Sequence, residues 1–164
     1  MSEAAQRALV TRRVCWTASP ALVFPGIAVT GQVPRMNHYE DVGGAFFLDK
    51  ECQTPDLLLD DQALVMASPR GLIIIFGCAH AGIVNTIAYV SKLVGKENIY
   101  AVIGGMHLLN ANRIRIANTV EALRKYKIQK IIPLHCTGTE AMAHLKTTFV
   151  DKRLHLGVGG QVVL

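Results

Sequence analysis

From residue 72 onward the chain repeats one pattern three times: a short apolar run, then a segment with helical spacing. The runs are 72–76 (Leu-Ile-Ile-Ile-Phe), 99–103 and 131–134, and the helical segments are 83–94, 114–126 and 139–149. A strand that is apolar at every position must be covered on both faces, as parallel strands are. Strands alternating with helices give an α/β domain whose crossovers are right-handed. Inward positions are expected at Ile83, Ile87, Val90 and Val94, then at Ile116, Val120, Leu123 and Tyr126. Thr137 or Thr139 is expected to cap the last helix.

The remainder is less regular. Residues 1–12 suit a short helical or frayed leader, and 13–164 read as the domain. Strands are expected at 14–17, 22–24, 27–30 and 63–67, the last turning through Ser68-Pro69-Arg70-Gly71 into the run at 72–76. A closing hairpin is expected from 154–156 and 161–164 around the glycines at 157–160. Residues 32–61 carry no clear period, and a loop of that length inside a compact domain usually serves function or moves.

Composition narrows the function classes. With 51% hydrophobic and 18% charged residues, 164 residues suit one folded domain and not a disordered chain. The longest apolar run is too short to span a bilayer, and Glu3, Gln6 and Arg7 interrupt the start where a secretory signal would need an apolar core. A mean hydropathy of +0.30 without a membrane span points to a second apolar surface for a partner. The net charge of +5 comes from scattered basic residues without interleaved aromatics, so nucleic acid is not expected as a ligand. Cys15, Cys52, Cys78 and Cys136 form no CxxC pair, which suits free thiols and a cytoplasmic setting.

Three of the six histidines hold one topological position. His80, His107 and His135 each follow one of the three apolar runs, 27 and 28 residues apart. In a parallel sheet the carboxyl ends of the strands share one edge, and ligands bind there. Three imidazoles delivered to that edge are candidate ligands for zinc or iron. Cys78 and Cys136 neighbour two of these histidines and read as small apolar packing residues. His38 lies in the irregular loop and is a weaker candidate to face a site. Asp60 and Asp61 are turn carboxylates that could orient an imidazole. His144 and His155 read as ordinary helix and strand residues.

Five segments carry a resemblance: PGIAVTGQVPR (25–35), DDQALV (60–65), GLIIIFGCAHAGIVNTI (71–87), VIGGMHLLNA (102–111) and IIPLHCTGTEA (131–141). Together they resemble the metallo-β-lactamase superfamily, in the branch related to 7,8-dihydropterin-6-methyl-4-(β-D-ribofuranosyl)-aminobenzene-5'-phosphate synthase. The resemblance implies an αββα sandwich that binds one or two metal ions at its sheet edge. It matches His80 to the third metal motif and His135 to the last. His107 stands where many members carry a bridging Asp. Arg35, Asp60 and Asp61 fall in segments characteristic of the branch, which makes them, with His38, candidates for substrate contact.

Only the C-terminal half of such a protein is matched, because nothing like HxHxDH occurs in the chain. The expected fold is therefore half a sandwich: a mixed sheet with helices on one face. The other face needs a cover. That cover is expected from a second copy packed sheet on sheet, giving a homodimer, or from a separate chain carrying the N-terminal half. The implied activity is hydrolysis of an ester, phosphodiester or pterin-type phosphorylated small molecule by a water activated on zinc, iron or manganese. The alternative is a non-catalytic metal- or ligand-binding remnant or assembly subunit.

Overall fold

A computed structural model describes residues 2–12, 14–95, 98–152 and 159–164. Six strands lie side by side in chain order: β1 (Ala21–Phe24), β2 (Ile27–Val29), β3 (Ala63–Ser68), β4 (Gly71–Phe76), β5 (Ile99–Gly105) and β6 (Lys130–Leu134). The first four pair antiparallel, while β4, β5 and β6 run parallel. The parallel strands are joined by α2 (Ile83–Val94) and α3 (Arg113–Lys125), and α4 (Thr139–Thr148) follows β6. The mixed α/β sheet with helices on one face is thus the architecture expected.

Alternation along each strand divides two faces. Leu72, Ile74 and Phe76 of β4 join Val102 and Ile131 in one buried cluster with Ile83, Ile87 and Val90 of α2, Ile116 and Leu123 of α3, and Leu145 of α4. A fully buried aliphatic side chain is worth about 1.5–3 kcal/mol, so this layer holds the helices to the sheet. The opposite face carries no helix among the described residues. Ile73, Tyr100 and Ala101 are buried there, while Met66, Ile75, Ile103 and Leu164 pack against them and remain partly exposed.

Several expectations need correction. Residues 14–17 form no strand; Val14 and Trp16 are exposed and the first paired strand starts at Ala21. Residues 161–164 form no strand either, and 154–156 lie outside the described residues. Beyond β6, the Lys152 carbonyl accepts from the Ile131 N–H. Val94, the last residue of α2, is 40% exposed. Neither Thr137 nor Thr139 caps α4: the cap position is Gly138, without a side-chain bond. The Thr137 hydroxyl instead donates to the Leu134 carbonyl and accepts from the Met106 N–H, tying the end of β6 to that of β5. Near the N-terminus, Glu3–Val10 form a helix, α1, capped by Ser2 and burying none of its residues.

The irregular stretch 32–61 is held by polar contacts instead of a ladder; its one β-bridge joins Phe47 and Pro55. Glu40 is its main anchor. It is 5% exposed, and its carboxylate accepts the Val84 and Asn85 N–H groups at 2.9 and 2.8 Å, satisfying donors that open α2. Burial raises its pKa above the ordinary carboxylate value, although these bonds, the one from Asn37 and nearby Arg115 pull the other way.

Candidate metal centre

The carboxyl ends of β4, β5 and β6 share one edge, and the residues just past them carry the candidate donors. Cys78 and His80 follow β4, His107 follows β5, and His135 and Cys136 form a 3-10 turn directly after β6. Ala79, His107 and His135 sit in the left-handed backbone region, with φ of 57°, 49° and 47°. Each such residue without a glycine's freedom costs of order 1–3 kcal/mol, and strain of this kind gathers at functional sites. Three such residues at three neighbouring strand ends mark this edge.

Two groups of donors form there. The first is Cys78, His135 and Cys136, whose Sγ and imidazole nitrogen atoms all lie within 4.8 Å of one another. His135 Nε2 is 3.1 Å from Cys78 Sγ, and the Cys136 thiol donates to the Cys78 carbonyl at 3.3 Å. Gly105 permits this approach. A Cβ there would stand 2.5 Å from the Gly77 carbonyl oxygen, 2.8 Å from Cys136 Sγ and 3.1 Å from Cys78 Cα.

The second group is His80 and His107, whose rings pack at 4.3 Å between centroids, with Phe46 edge-on to His80. His107 Nε2 donates to the Val42 carbonyl at 2.8 Å. Nδ1 of that ring is then the unprotonated nitrogen, carrying a lone pair. Both His107 Nδ1 and His80 Nδ1 are buried without a hydrogen-bond partner. Burial lowers the His107 pKa; the Val42 bond opposes this, His80 and Arg115 add to it, and Asp41 opposes it. The ring is kept neutral, the form a metal requires. Gly43, at φ 71°, lets the loop lie against the ring, where a Cβ would fall 2.1 Å from His107 Nε2.

The three histidines therefore reach one edge but not one set. Among the described residues, the one group of three or more His, Cys, Asp or Glu donors within this mutual reach is Cys78, His135 and Cys136. The cysteines, which read as packing residues in the sequence, stand with His135, while His80 and His107 pair beside them. The signal was present in the two local pairings, Cys78 two residues before His80 and Cys136 directly after His135.

The other candidates hold varied places. The Arg35 Nη2 donates to the carbonyls of Leu57 and His80, tying the loop to the histidine turn. Asp61 accepts the Ala81 N–H at 2.9 Å and so fixes the same turn from the other side. Asp60 lines a separate cavity with Trp16, Gly31 and Gln32. His38 is exposed, stacks edge-on against Tyr39, and lines a groove with Glu121 and Tyr126 on the α3 side. His144 is exposed on α4, and His155 lies outside the described residues.

The donor set fits a zinc-class ion. Zinc takes thiolate at about 2.3 Å and imidazole at about 2.0–2.1 Å in tetrahedral array, so its ligands stand roughly 3.3–3.8 Å apart. The donor atoms of Cys78, His135 and Cys136, all within 4.8 Å of one another, already lie near those separations. The orphaned Nδ1 atoms of His80 and His107 are the further observation that an electrophile belongs here.

With this sheet, this edge and these segments, the chain belongs to the metallo-β-lactamase superfamily. Its fold matches the crystal structure of a metal-dependent hydrolase of the beta-lactamase superfamily (Tm1679) with a TM-score of 0.82 and 26% identity, over 94% of this chain and 59% of that one. Within the superfamily it is similar to 7,8-dihydropterin-6-methyl-4-(beta-D-ribofuranosyl)-aminobenzene-5'-phosphate synthase of Methanocaldococcus jannaschii. The two are 36% identical over an alignment 152 positions long, which covers 87% of this chain and 51% of the synthase. An uncharacterized protein of the same organism, MJ0448, is 32% identical over 126 residues, covering 77% of this chain and 46% of its own. The chain spans about half the length of the curated relatives it matches. No family model matches it. No helix among the described residues is long and apolar enough to cross a membrane.

Proposed function

We propose that this chain carries one half of a metal-dependent hydrolase site acting on an ester, phosphodiester or pterin-type phosphorylated small molecule. The observation that carries this reading is the convergence of Cys78, His80, His107, His135 and Cys136 on the carboxyl edge of three parallel strands. Two thiols with imidazole favour zinc over iron or manganese. When bound, such an ion supplies Lewis acidity: it acidifies water and offsets negative charge developing on the substrate.

The chain's own residues prepare that edge. The Val42 carbonyl fixes the His107 tautomer, and Arg35 and Asp61 hold the turn that carries His80. Burial raises the Cys136 thiol pKa, with Cys78 adding to it and the backbone N–H of His107 opposing it. The raised pKa favours the thiol form of Cys136, which would have to give up its proton to hold a cation. The partly exposed face around Met66, Ile75 and Ile103 supports the further reading that a second half-domain, from another copy or another chain, packs there and completes the site. The alternative is a metal-binding remnant without turnover.

The test is zinc content after chelation and reloading, with phosphodiester turnover measured on the same samples. Stoichiometric zinc that is lost in His135→Ala and in the Cys78→Ser, Cys136→Ser double variant supports the site. Zinc without turnover even when a chain carrying the HxHxDH half is supplied selects the remnant, and no retained zinc overturns both.

A further inference from the structure

A second feature of this edge has no part in holding a metal. Arg115, on the first turn of α3, is 4% exposed. Its Nη1 donates to the Asp41 carboxylate at 2.7 Å and to the Asp41 carbonyl at 3.3 Å. The Asp41 side chain is itself 75% exposed. Arg115 Nε and Nη2 are buried and have no partner. A guanidinium cannot shed its charge, and Nε with Nη2 forms the side fork that grips two oxygens of one oxyanion. Asp41 thus occupies one corner of the group and leaves the two-pronged side.

Arg115 lines a cavity of about 70 Å³ with Gly43, His107, Asn110 and Cys136 among its walls. One water needs roughly 10–15 Å³, so there is room for a tetrahedral oxyanion. No acidic residue lines the cavity. His107 and Cys136 belong to both this cavity and the metal edge, so a group held by Arg115 lies beside the donors already described.

We propose that Arg115 and this cavity form an oxyanion subsite, which takes the phosphate of a phosphate monoester and positions the rest of the molecule toward the strand edge. Its place in a reaction rests on the functional reading above. The anion binding does not, because it needs the guanidinium and no metal. Asn110, exposed at the cavity wall, contributes an amide and no charge.

The experiment is titration of the full chain with inorganic phosphate at fixed ionic strength, by calorimetry and phosphorus NMR. It is run on chelator-treated, dialysed protein and again after zinc loading. Saturable binding in both forms is expected, with sulfate competing. Arg115→Lys keeps a charge but loses the fork and should weaken binding at least about tenfold. Asn110→Asp places a like charge at the cavity and should weaken it comparably; on an exposed loop it decides the matter if Arg115→Lys does not fold. Unchanged affinity in the folded variants, no binding, or binding seen only with zinc would each overturn the subsite. If phosphate binds but the protein retains no zinc after reloading, the metal reading fails and the subsite stands.

Discussion

Replacing Gly105 by alanine adds one methyl group where three strand ends meet, and the structure predicts its cost. Gly105 lacks a positive φ, so backbone preference is not the issue. The new Cβ would overlap the Gly77 carbonyl at 2.5 Å and Cys136 Sγ at 2.8 Å. The first contact is backbone and is bridged by the Gly105 N–H bond to the same oxygen at 3.0 Å, so relief means moving the β4 turn away from β5. Overpacking of this kind costs about 1–3 kcal/mol, or roughly 2–12 °C in melting temperature for a domain of this size. The same movement separates Cys78 from Cys136 and should weaken zinc binding roughly 10–100-fold, as loss of ligand support commonly does. Gly77→Ala is the matched control, because a Cβ there meets nothing within 4 Å. It should be neutral or stabilising by up to about 1 kcal/mol through the unfolded chain. Thermal melts and zinc titrations of both variants settle the point. A Gly105→Ala protein that melts and binds zinc like Gly77→Ala would refute the packing argument.

Two further outcomes follow from groups that support the edge. Glu40→Gln leaves one of the N–H groups of Val84 and Asn85 facing an amide NH2, so urea unfolding should show a loss of about 1–3 kcal/mol; an unchanged midpoint would show that these donors find another acceptor. The His107 pKa is lowered from 6.5, chiefly by burial, so its contribution to stability is full above that unfolded value and is lost as pH falls through the lower folded one. Metal-free wild type should therefore lose more stability between about pH 7.5 and about pH 5.5 than His107→Gln, which can still donate to Val42; equal losses would contradict the assignment.

The two crossovers and the helix after β6 were legible because helical and strand periods survive in sequence: Ile83, Ile87 and Val90 mark one face of α2, and Leu72, Ile74 and Phe76 one face of β4. The topological place of His80, His107 and His135 followed from the same periodicity. Their grouping did not. It depends on backbone at positive φ in Ala79, His107 and His135, and on the missing Cβ of Gly105, neither of which periodicity encodes. The loop residues were least legible, since Glu40, Asp41 and Val42 act through a few polar bonds to elements distant in sequence. The extended strand expected at 14–17 failed for the opposite reason: local pattern suits a strand, but no neighbouring strand pairs with it.

The claim that this strand edge is a mixed thiolate and imidazole centre can be read from the metal itself. Zinc K-edge absorption on the reloaded chain should show sulfur at about 2.3 Å together with imidazole nitrogen at about 2.0–2.1 Å. Replacing Cys78 or Cys136 singly by serine should reduce the sulfur shell by about half in the zinc that remains bound. Zinc surrounded by oxygen alone, or a sulfur shell unchanged in both single variants, would contradict the account.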